Sequence, residues 1–393
     1  MIPNKPIRIG IDGTPLHGNP TGIGRYIVEL SQEVDKLLPH AEFYVYSLFP
    51  IQMPVASDRW VHRIVPLVVP RFLRLRSVLK FYRSPVFERD SLDVFWGAGG
   101  FLPRLPRRVR TLLTVYDLGF KVVPETLSVS SLWTQRLFLR RDVAEADVVY
   151  TISYGTAERL YNVSRRRADG VIQPSISRVF TTQSDHRVAK VLEGYGIQTP
   201  YILSVATWEP RKNLRLLIST FLRMRREGLL DDYTLVLVGP EGWKERGLEE
   251  LTRQQQEHGL KVLGYVPDED LPALYAGAKV FVFPSRYEGF GIPVLEARAA
   301  GTRVVTTDIP ELREAGGESA IYITPNREGL RDGIFTALSR RPDAVPTKAL
   351  GYPTWKDGAK ILAEALLRLG NQVDLRGVAP QRETDVRYSL LNH

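Results

Sequence analysis

Glu288 and Glu296 stand eight positions apart and bracket a short stretch rich in glycine. An apolar run over Val280–Pro284 predicts a buried strand before them, and a helix is predicted from about Pro293 to Ala300. A helix N-terminus offers unpaired N–H groups and partial positive charge, while carboxylates only accept hydrogen bonds. Together these groups suit a phosphate, a ribose and a second sugar. The alternative is an ordinary strand–turn–helix junction with solvated Glu side chains.

A second strand-to-helix junction carries two adjacent cations. The apolar strand predicted over Tyr201–Val205 leads to Arg211 and Lys212, and apolar residues then recur at helical spacing from Leu214 to Leu222. Arg binds a diphosphate through its planar fork of donors and Lys binds it as a point charge. The sequence therefore predicts a second anion-binding corner.

A third glycine-rich stretch lies near the start of the chain. Gly22 and Gly24 separate a strand predicted over Ile7–Ile11 from a helix predicted over Tyr26–Leu38. Such a loop either approaches a phosphate or acceptor, or is a flexible connection rich in turn formers. A nicotinamide dinucleotide site is disfavoured because the third glycine of G-x-G-x-x-G is replaced by Ile27.

Strands alternate with helices along most of the chain, which predicts an α/β protein with parallel sheets. The alternation weakens near 175–198. We therefore expect an N-terminal domain over 1–185 and a second domain over 198–352. The last part, 353–393, contains a predicted helix over Trp355–Leu369 and a polar tail.

The composition is that of an ordinary globular protein. The chain has 393 residues, 44% of them hydrophobic, and a formal net charge of +9. It has no Cys, which excludes disulfides and thiolate metal sites. Neither a signal peptide nor a membrane-spanning run is evident, so we expect a cytoplasmic protein. Nucleic acid is not an expected partner, because no nucleic-acid-binding motif accompanies the positive charge.

Basic residues crowd the first half of the chain. Between Phe72 and Arg83 they lie beside an apolar helical stripe, and more of them follow between Arg104 and Arg141. A basic amphipathic helix binds an anionic membrane surface, but an ordinary surface helix shows the same pattern. The sequence leaves both interpretations open.

Both junctions, in this order, resemble those of the retaining glycosyltransferases of family 4. Further similar segments are Ile9–Asp12 with Thr21–Tyr26, and Ala146–Ser153. The resemblance implies the GT-B fold, in which two Rossmann-like domains face a central cleft and the C-terminal helix returns to the N-terminal domain. The junctions look most like those of mannosyltransferases that build bacterial surface polysaccharides.

The resemblance also implies roles for single residues. Glu288 would contact the transferred sugar, Glu296 the ribose, and Arg211 with Lys212 the departing diphosphate. Further contacts to the sugar donor are implied for Gly22, Gly24, Gly289, Phe290, Gly291 and Ile292. No metal ion and no cofactor is implied, and retention of configuration would follow from front-face attack.

One segment departs from the family pattern. Where a His-Asp pair is common, this chain has Tyr116 and Asp117. Tyr116 donates a hydrogen bond but does not titrate near neutral pH. Asp117 would orient Tyr116, Arg25 or the acceptor. Tyr116 and Asp117 are both counted among the predicted catalytic residues. His17 is a less favoured substitute for the missing imidazole, since a lone His in a turn is more often a turn residue.

The predicted sugar donor is GDP-mannose, with UDP-sugars and dTDP- or GDP-linked deoxysugars as alternatives. The predicted acceptor is a saccharide, free or linked to polyprenyl diphosphate at a membrane. A non-catalytic protein that binds nucleotide sugars would show the same residues and stays open. A pyridoxal-phosphate phosphorylase is disfavoured, because such chains are usually far longer.

Overall fold

The computed structural model describes residues 5–18, 22–65, 81, 83–177, 180, 183–198, 200–240, 242, 258–339 and 353–371. Almost all of the predicted basic segment between Phe72 and Arg83 lies outside these residues. No helix in the described ranges combines the length and the apolar character needed to span a bilayer.

The first half of the chain builds a parallel sheet with the strand order β3-β2-β1-β4-β5-β6-β7. Its strands are β1 (Arg8–Asp12), β2 (Glu42–Ser47), β3 (Trp60–Ile64), β4 (Val94–Gly97), β5 (Arg110–Val115), β6 (Val148–Thr151) and β7 (Gly170–Val171). β4 and β6 are buried along their whole length, as expected of parallel strands covered on both faces.

The second half builds a second parallel sheet with the order β10-β9-β8-β11-β12-β13. Its strands are β8 (Tyr201–Val205), β9 (Thr234–Val238), β10 (Leu260–Gly264), β11 (Val280–Phe283), β12 (Val304–Thr307) and β13 (Ile321–Ile323). The order reverses between β1 and β4 and again between β8 and β11. In open α/β sheets a ligand crevice forms at this switch point, outside the carboxyl ends of the strands.

Twelve α-helices connect the strands of the described ranges. They are α1 (Gly22–Leu37), α2 (Val86–Arg89), α3 (Gly119–Val122), α4 (Val129–Glu145), α5 (Tyr154–Ser164), α6 (Asp185–Gly194), α7 (Leu214–Arg226), α8 (Leu271–Gly277), α9 (Ile292–Ala299), α10 (Pro310–Gly316), α11 (Arg327–Ser339) and α12 (Trp355–Gly370). The α/β class and the two parallel sheets confirm the predicted fold class.

The elements that differ from the sequence predictions include α1, β3 and α6. α1 begins at Gly22 and not at Tyr26, so the two loop glycines form the first helical turn. β3 was missed because its central residues, His62 and Arg63, are polar and it lies at the sheet edge. α6 was also missed; Ser184 caps its N-terminus through the amide of Arg187.

The last helix returns to the first sheet, as predicted. α12 packs along α1 and also contacts β1, β4 and β5. The ring of Trp355 meets the ring of Tyr26 edge-on at 5.7 Å. A capping box between Thr354 and Asp357 starts this helix. The domain ends drawn at 185, 198 and 352 stay predictions.

Candidate active site

Glu288, Arg211 and Lys212 form one buried ionic cluster. Arg211 Nη1 lies 2.6 Å from Glu288 Oε2, and Lys212 Nζ lies 2.7 Å from Oε1. Ser285 Oγ donates to the same Oε1 at 2.5 Å, and Arg211 Nε donates to Glu209 at 2.9 Å. The structure therefore brings together three of the residues that the sequence predicted for one site.

The cluster forms because its two halves follow neighbouring strands at the switch point. Arg211 and Lys212 lie in a 3-10 turn that β8 leads into, and β11 leads to Glu288. The backbones of the two corners are also joined, since the amide of Arg286 donates to the carbonyl of Arg211 at 2.7 Å. Asn213 ends the 3-10 turn in the left-handed region, at φ 60°, which Asn tolerates better than most residues.

The charges in the cluster stabilise one another against burial. Burial alone would raise the pKa of Glu288, but Arg211 and Lys212 outweigh it and lower that pKa to about 2. Burial and the neighbouring Arg211 lower the pKa of Lys212. Burial opposes the charge of Arg211, yet Glu288 and Glu209 raise its pKa. Glu288 is therefore a carboxylate at neutral pH.

The glycine turn after Glu288 touches the first domain. A Cβ atom at Gly289 would lie 2.2 Å from the carbonyl oxygen of Tyr116, and the Gly289 carbonyl accepts from Ser153 Oγ at 2.6 Å. Because Gly289 has no side chain, the backbone of Tyr116 in the first domain can pack directly against it. Gly291, with φ 108°, caps the N-terminus of α9, and the ring of Phe290 is buried in the core.

Glu296 lies one turn into α9, in a second cluster that joins the two domains. Arg25 Nη1 of α1 lies 2.8 Å from Glu296 Oε1, and Arg25 Nη2 lies 2.7 Å from Asp268 Oδ1. Tyr275 donates to Glu296 Oε2 at 3.0 Å. Sequence analysis named Arg25 as one of the groups that Asp117 would orient, and it did not predict the pairing of Arg25 with Glu296.

The two predicted glycine stretches meet across the same boundary. A Cβ atom at Gly22 would lie 3.6 Å from the side chain of Ile292, the first residue of α9. Gly24 is buried two residues further along α1. The N-termini of α1 and α9 therefore face each other, one from each sheet.

Tyr116 and Asp117 hold the backbone at the end of β5. The hydroxyl of Tyr116 donates to the carbonyl of Ala98 at 2.6 Å, and burial raises its pKa well above the ordinary value. The single hydroxyl proton of Tyr116 is therefore engaged in the hydrogen bond to Ala98. Asp117 accepts from the amide of Gly119 at 2.9 Å and acts electrostatically on Arg211. His17 packs on the ring of Phe49, at 4.8 Å between centroids.

Sequence analysis missed several contacts between the domains, because their members are far apart in the chain. The hydroxyl of Tyr287 accepts from the amide of Leu118 at 2.7 Å. Arg159 of α5 pairs with the fully buried Glu311 of α10 at 2.5 Å. Only Tyr287 carried a local signal, since it directly precedes Glu288.

Acidic side chains do not converge on an evident metal site in the part of the chain that the structure describes. One D-x-D spacing, which sequence analysis did not single out, is formed by Asp268 and Asp270. Arg25 pairs with Asp268, and Arg187 with Tyr195 binds Asp270. These carboxylates are structural partners of cations.

The chain is similar to known enzymes over most of its length. Over residues 193–345 it matches the family described as glycosyl transferases group 1. It is 30% identical to O-antigen chain mannosyltransferase B of Escherichia coli over 321 residues, which cover 78% of this chain and 84% of that protein. It is 27% identical to O-antigen chain mannosyltransferase RfbU of Salmonella typhimurium, with 78% and 81% covered.

The fold is also shared with solved structures. Sucrose-phosphate synthase from Thermosynechococcus elongatus superposes with a TM-score of 0.68 at 18% identity, covering 94% of this chain and 97% of that one. At this identity the likeness concerns the GT-B fold alone. With the sequence relatives, it leads to one conclusion: the chain belongs to the group 1 glycosyl transferases and is a glycosyltransferase of the GT-B fold.

Proposed function

We propose that this enzyme moves mannose from GDP-mannose to a saccharide or a lipid-linked saccharide during surface polysaccharide synthesis. The transfer retains the anomeric configuration and uses neither a metal ion nor a cofactor. The observation that carries this proposal is the cluster of Arg211 and Lys212 on Glu288, which follows the carboxyl ends of β8 and β11, where the strand order of the second sheet reverses.

The two cations in the cluster keep hydrogen-bond donors for a diphosphate. Lys212 has three N–H donors and Arg211 has five. Within the described residues, Lys212 donates only to Glu288, and Arg211 Nη2 donates to no acceptor. Preorganised donors of this kind stabilise charge that builds on a leaving group, which is the part a metal ion would otherwise take.

Glu288 suits a single sugar hydroxyl. A carboxylate offers about four acceptor positions, and Ser285, Lys212 and Arg211 fill three of them. The remaining position lies on Oε2, the oxygen that faces Arg211. A hydroxyl bound there would lie beside the cations that hold the diphosphate, as a transferred sugar must.

The choice of mannose and GDP rests on relatives. Two sequence relatives that cover most of this chain carry the name O-antigen chain mannosyltransferase. Another, 30% identical over 62% of this chain, is a GDP-mannose-dependent enzyme of Mycolicibacterium smegmatis. UDP- and dTDP-sugars remain the alternative donors, and a non-catalytic nucleotide-sugar-binding protein remains the alternative class.

A panel of nucleotide sugars tests this proposal. GDP-mannose should raise the unfolding temperature more than UDP- or dTDP-sugars do, since a ligand of the folded state stabilises it by mass action. Transfer to a mannose-containing oligosaccharide should persist in a chelator and give an α-linked product, the configuration of the donor. A β-linked product, or activity lost in chelator and restored by Mg²⁺, would overturn the mechanism.

We also propose that the first domain binds the anionic inner face of a membrane. The outer face of α4 exposes Val129, Trp133 and Leu137 at helical spacing, although Phe138 and Leu139 already pack inward. Exposed Arg136 and Arg140 border these apolar side chains. Aromatic side chains with cationic neighbours suit the headgroup region of an anionic bilayer.

Vesicle sedimentation tests the membrane proposal. The protein should bind phosphatidylglycerol vesicles at low salt and not phosphatidylcholine vesicles, and Trp133→Ser with Leu137→Ser should abolish binding. Phe335→Ser in α11, which is equally exposed, is the matched control and should bind normally. Equal binding by both variants, or none by the wild type, would rule out the α4 surface.

A further inference from the structure

Arg25 is the cation that reaches Glu296 from the other domain. It is the fourth residue of α1 in the first domain, yet both of its terminal nitrogens bind carboxylates of the second domain. Glu296 Oε1 lies 2.8 Å from one nitrogen, and Asp268 Oδ1 lies 2.7 Å from the other. Two such bonds place the guanidinium firmly between the domains.

The titratable and charged groups that act on Glu296 come from α1, from α8 and from the segment before α8. Tyr275 of α8 donates to Oε2 at 3.0 Å, and burial raises the pKa of Tyr275 well above the ordinary value, so it stays neutral. Asp268, in the segment before α8, acts on Glu296 with the same sign of charge. Arg25 is the cation among the described groups that act on this carboxyl.

Without Arg25, Glu296 would be a buried carboxyl beside a second carboxylate. The side chain of Glu296 is only 5% exposed. Removing the cation from a buried ion pair leaves an uncompensated charge, and such a group neutralises itself by taking up a proton. Burial raises the pKa of Glu296 to about 7, although Arg25 and the Tyr275 hydroxyl act to lower it.

We propose that Arg25 is a positioning residue that keeps Glu296 ionised and oriented to accept hydrogen bonds from the ribose of the nucleotide sugar. The inference rests on the proposed function, in which Glu296 holds the ribose. A carboxylate accepts hydrogen bonds that are roughly twice as strong as those of a neutral group. Because the cation comes from the first domain, the ribose site is complete only when the two domains are closed.

The test is the affinity for GDP-mannose as a function of pH, measured by calorimetry without acceptor. A nucleotide sugar is the right probe because its diphosphate does not titrate near neutral pH. Wild-type affinity should rise as the pH passes through about 7, where Glu296 ionises. Arg25→Met should move this midpoint up by about one unit or more, so that affinity near pH 7 falls about fivefold or more and recovers at higher pH.

Three further variants separate positioning from structural damage. Arg25→Lys keeps a cation and should restore part of the shift. Glu296→Gln cannot ionise and should bind weakly with a flat profile. Asp268→Asn breaks a contact between the domains, as Arg25→Met does, but it removes a negative charge and should move the midpoint down.

Opposite shifts of Arg25→Met and Asp268→Asn would support the positioning role, because damage to the domain interface would weaken binding in both at every pH. Equal losses at all pH values, or an Arg25→Met profile like that of the wild type, would overturn it. If the wild type binds neither GDP-mannose nor the UDP- and dTDP-sugars, the proposed function itself fails, and that result is distinct.

Discussion

Lys212 shows how burial and charge act together at one residue. Its ammonium group lies 2.7 Å from Glu288 and 4.9 Å from the ring centroid of Phe283. An ammonium group has three N–H donors, so one that binds a single carboxylate and lies over an aromatic ring keeps further donors for a ligand. We therefore expect Lys212 to stabilise the transition state of transfer as well as the folded protein.

Lys212→Met should reduce transfer from the nucleotide sugar by about 100-fold or more, the usual effect of losing one preorganised donor to a developing charge. The free energy of unfolding should fall by no more than about 3 kcal/mol, since Arg211 and Ser285 still bind Glu288. Single-turnover rates and urea denaturation measure the two effects. Lys190→Met, an exposed lysine of α6, is the control.

A rate for Lys212→Met within about threefold of wild type would contradict the proposed role of the cations. A large loss of stability with a normal rate in the folded fraction would make Lys212 a structural residue instead.

Sequence analysis predicted the charged side chains of the site but not all of their partners. The meeting of Arg211, Lys212 and Glu288 followed from two junctions on parallel strands, since such strands end at the same sheet edge. The pairing of Glu296 with Arg25, or of Tyr116 with Ala98, depends on how side chains and domains pack. No local pattern encodes that packing.

Among the elements, the glycine turn between β11 and α9 lies in close contact with the first domain. Its residue Gly289 packs on the backbone of Tyr116, and Ser153 and Thr156 at the start of α5 donate to its carbonyl. A side chain at this position would meet backbone, which cannot rotate away. The turn therefore sets how closely the domains approach.

Gly289→Ala should lower the free energy of unfolding by about 1–3 kcal/mol through overpacking, and it should also slow transfer. Gly194→Ala at the end of α6 is the matched control, because nothing lies within 4 Å of its added Cβ atom. That variant should keep its activity and gain up to about 1 kcal/mol. If both variants behaved alike in urea denaturation and activity, the contact at Gly289 would not limit closure.

Long segments with a regular apolar spacing were predicted well, and short polar segments were not. α12 was predicted to within one residue because Leu362, Leu366 and Leu369 recur at helical spacing. β3 has two polar residues in its five, so its pairing with β2 is what makes it a strand. α1 extends back to Gly22 although glycine disfavours helix, an example of tertiary contacts outweighing propensity.

On the scale of the whole molecule, a carboxyl of the second domain caps a helix of the first. Glu314 of α10 accepts from the amides of Tyr154 and Gly155 at 2.9 Å and 2.7 Å, and from Gln173 at 2.7 Å. Burial and, to a smaller extent, the nearby Glu311 raise its pKa to about 7 in spite of these bonds. The closed arrangement thus favours the protonated carboxyl.

The sign of the resulting pH dependence follows from the raised pKa. The contribution of Glu314 to stability is fully present below about pH 4.5 and is lost as the pH rises through about 7. Glu314→Gln cannot titrate, so its unfolding temperature should fall less than that of the wild type between these pH values. Thermal unfolding across this range measures the difference, with Glu318→Gln as an exposed control. Parallel curves for wild type and Glu314→Gln would show that Glu314 titrates normally.

The return of α12 to α1 has a consequence for how the enzyme comes into being. As the ribosome synthesises the chain, β1 to β7 emerge long before Trp355, whose ring packs against Tyr26. The first domain is synthesised first, but its packing is complete only when α12 has emerged. Until then α1 exposes apolar surface that α12 later covers. During synthesis, we expect chaperones to bind at this exposed apolar face of α1.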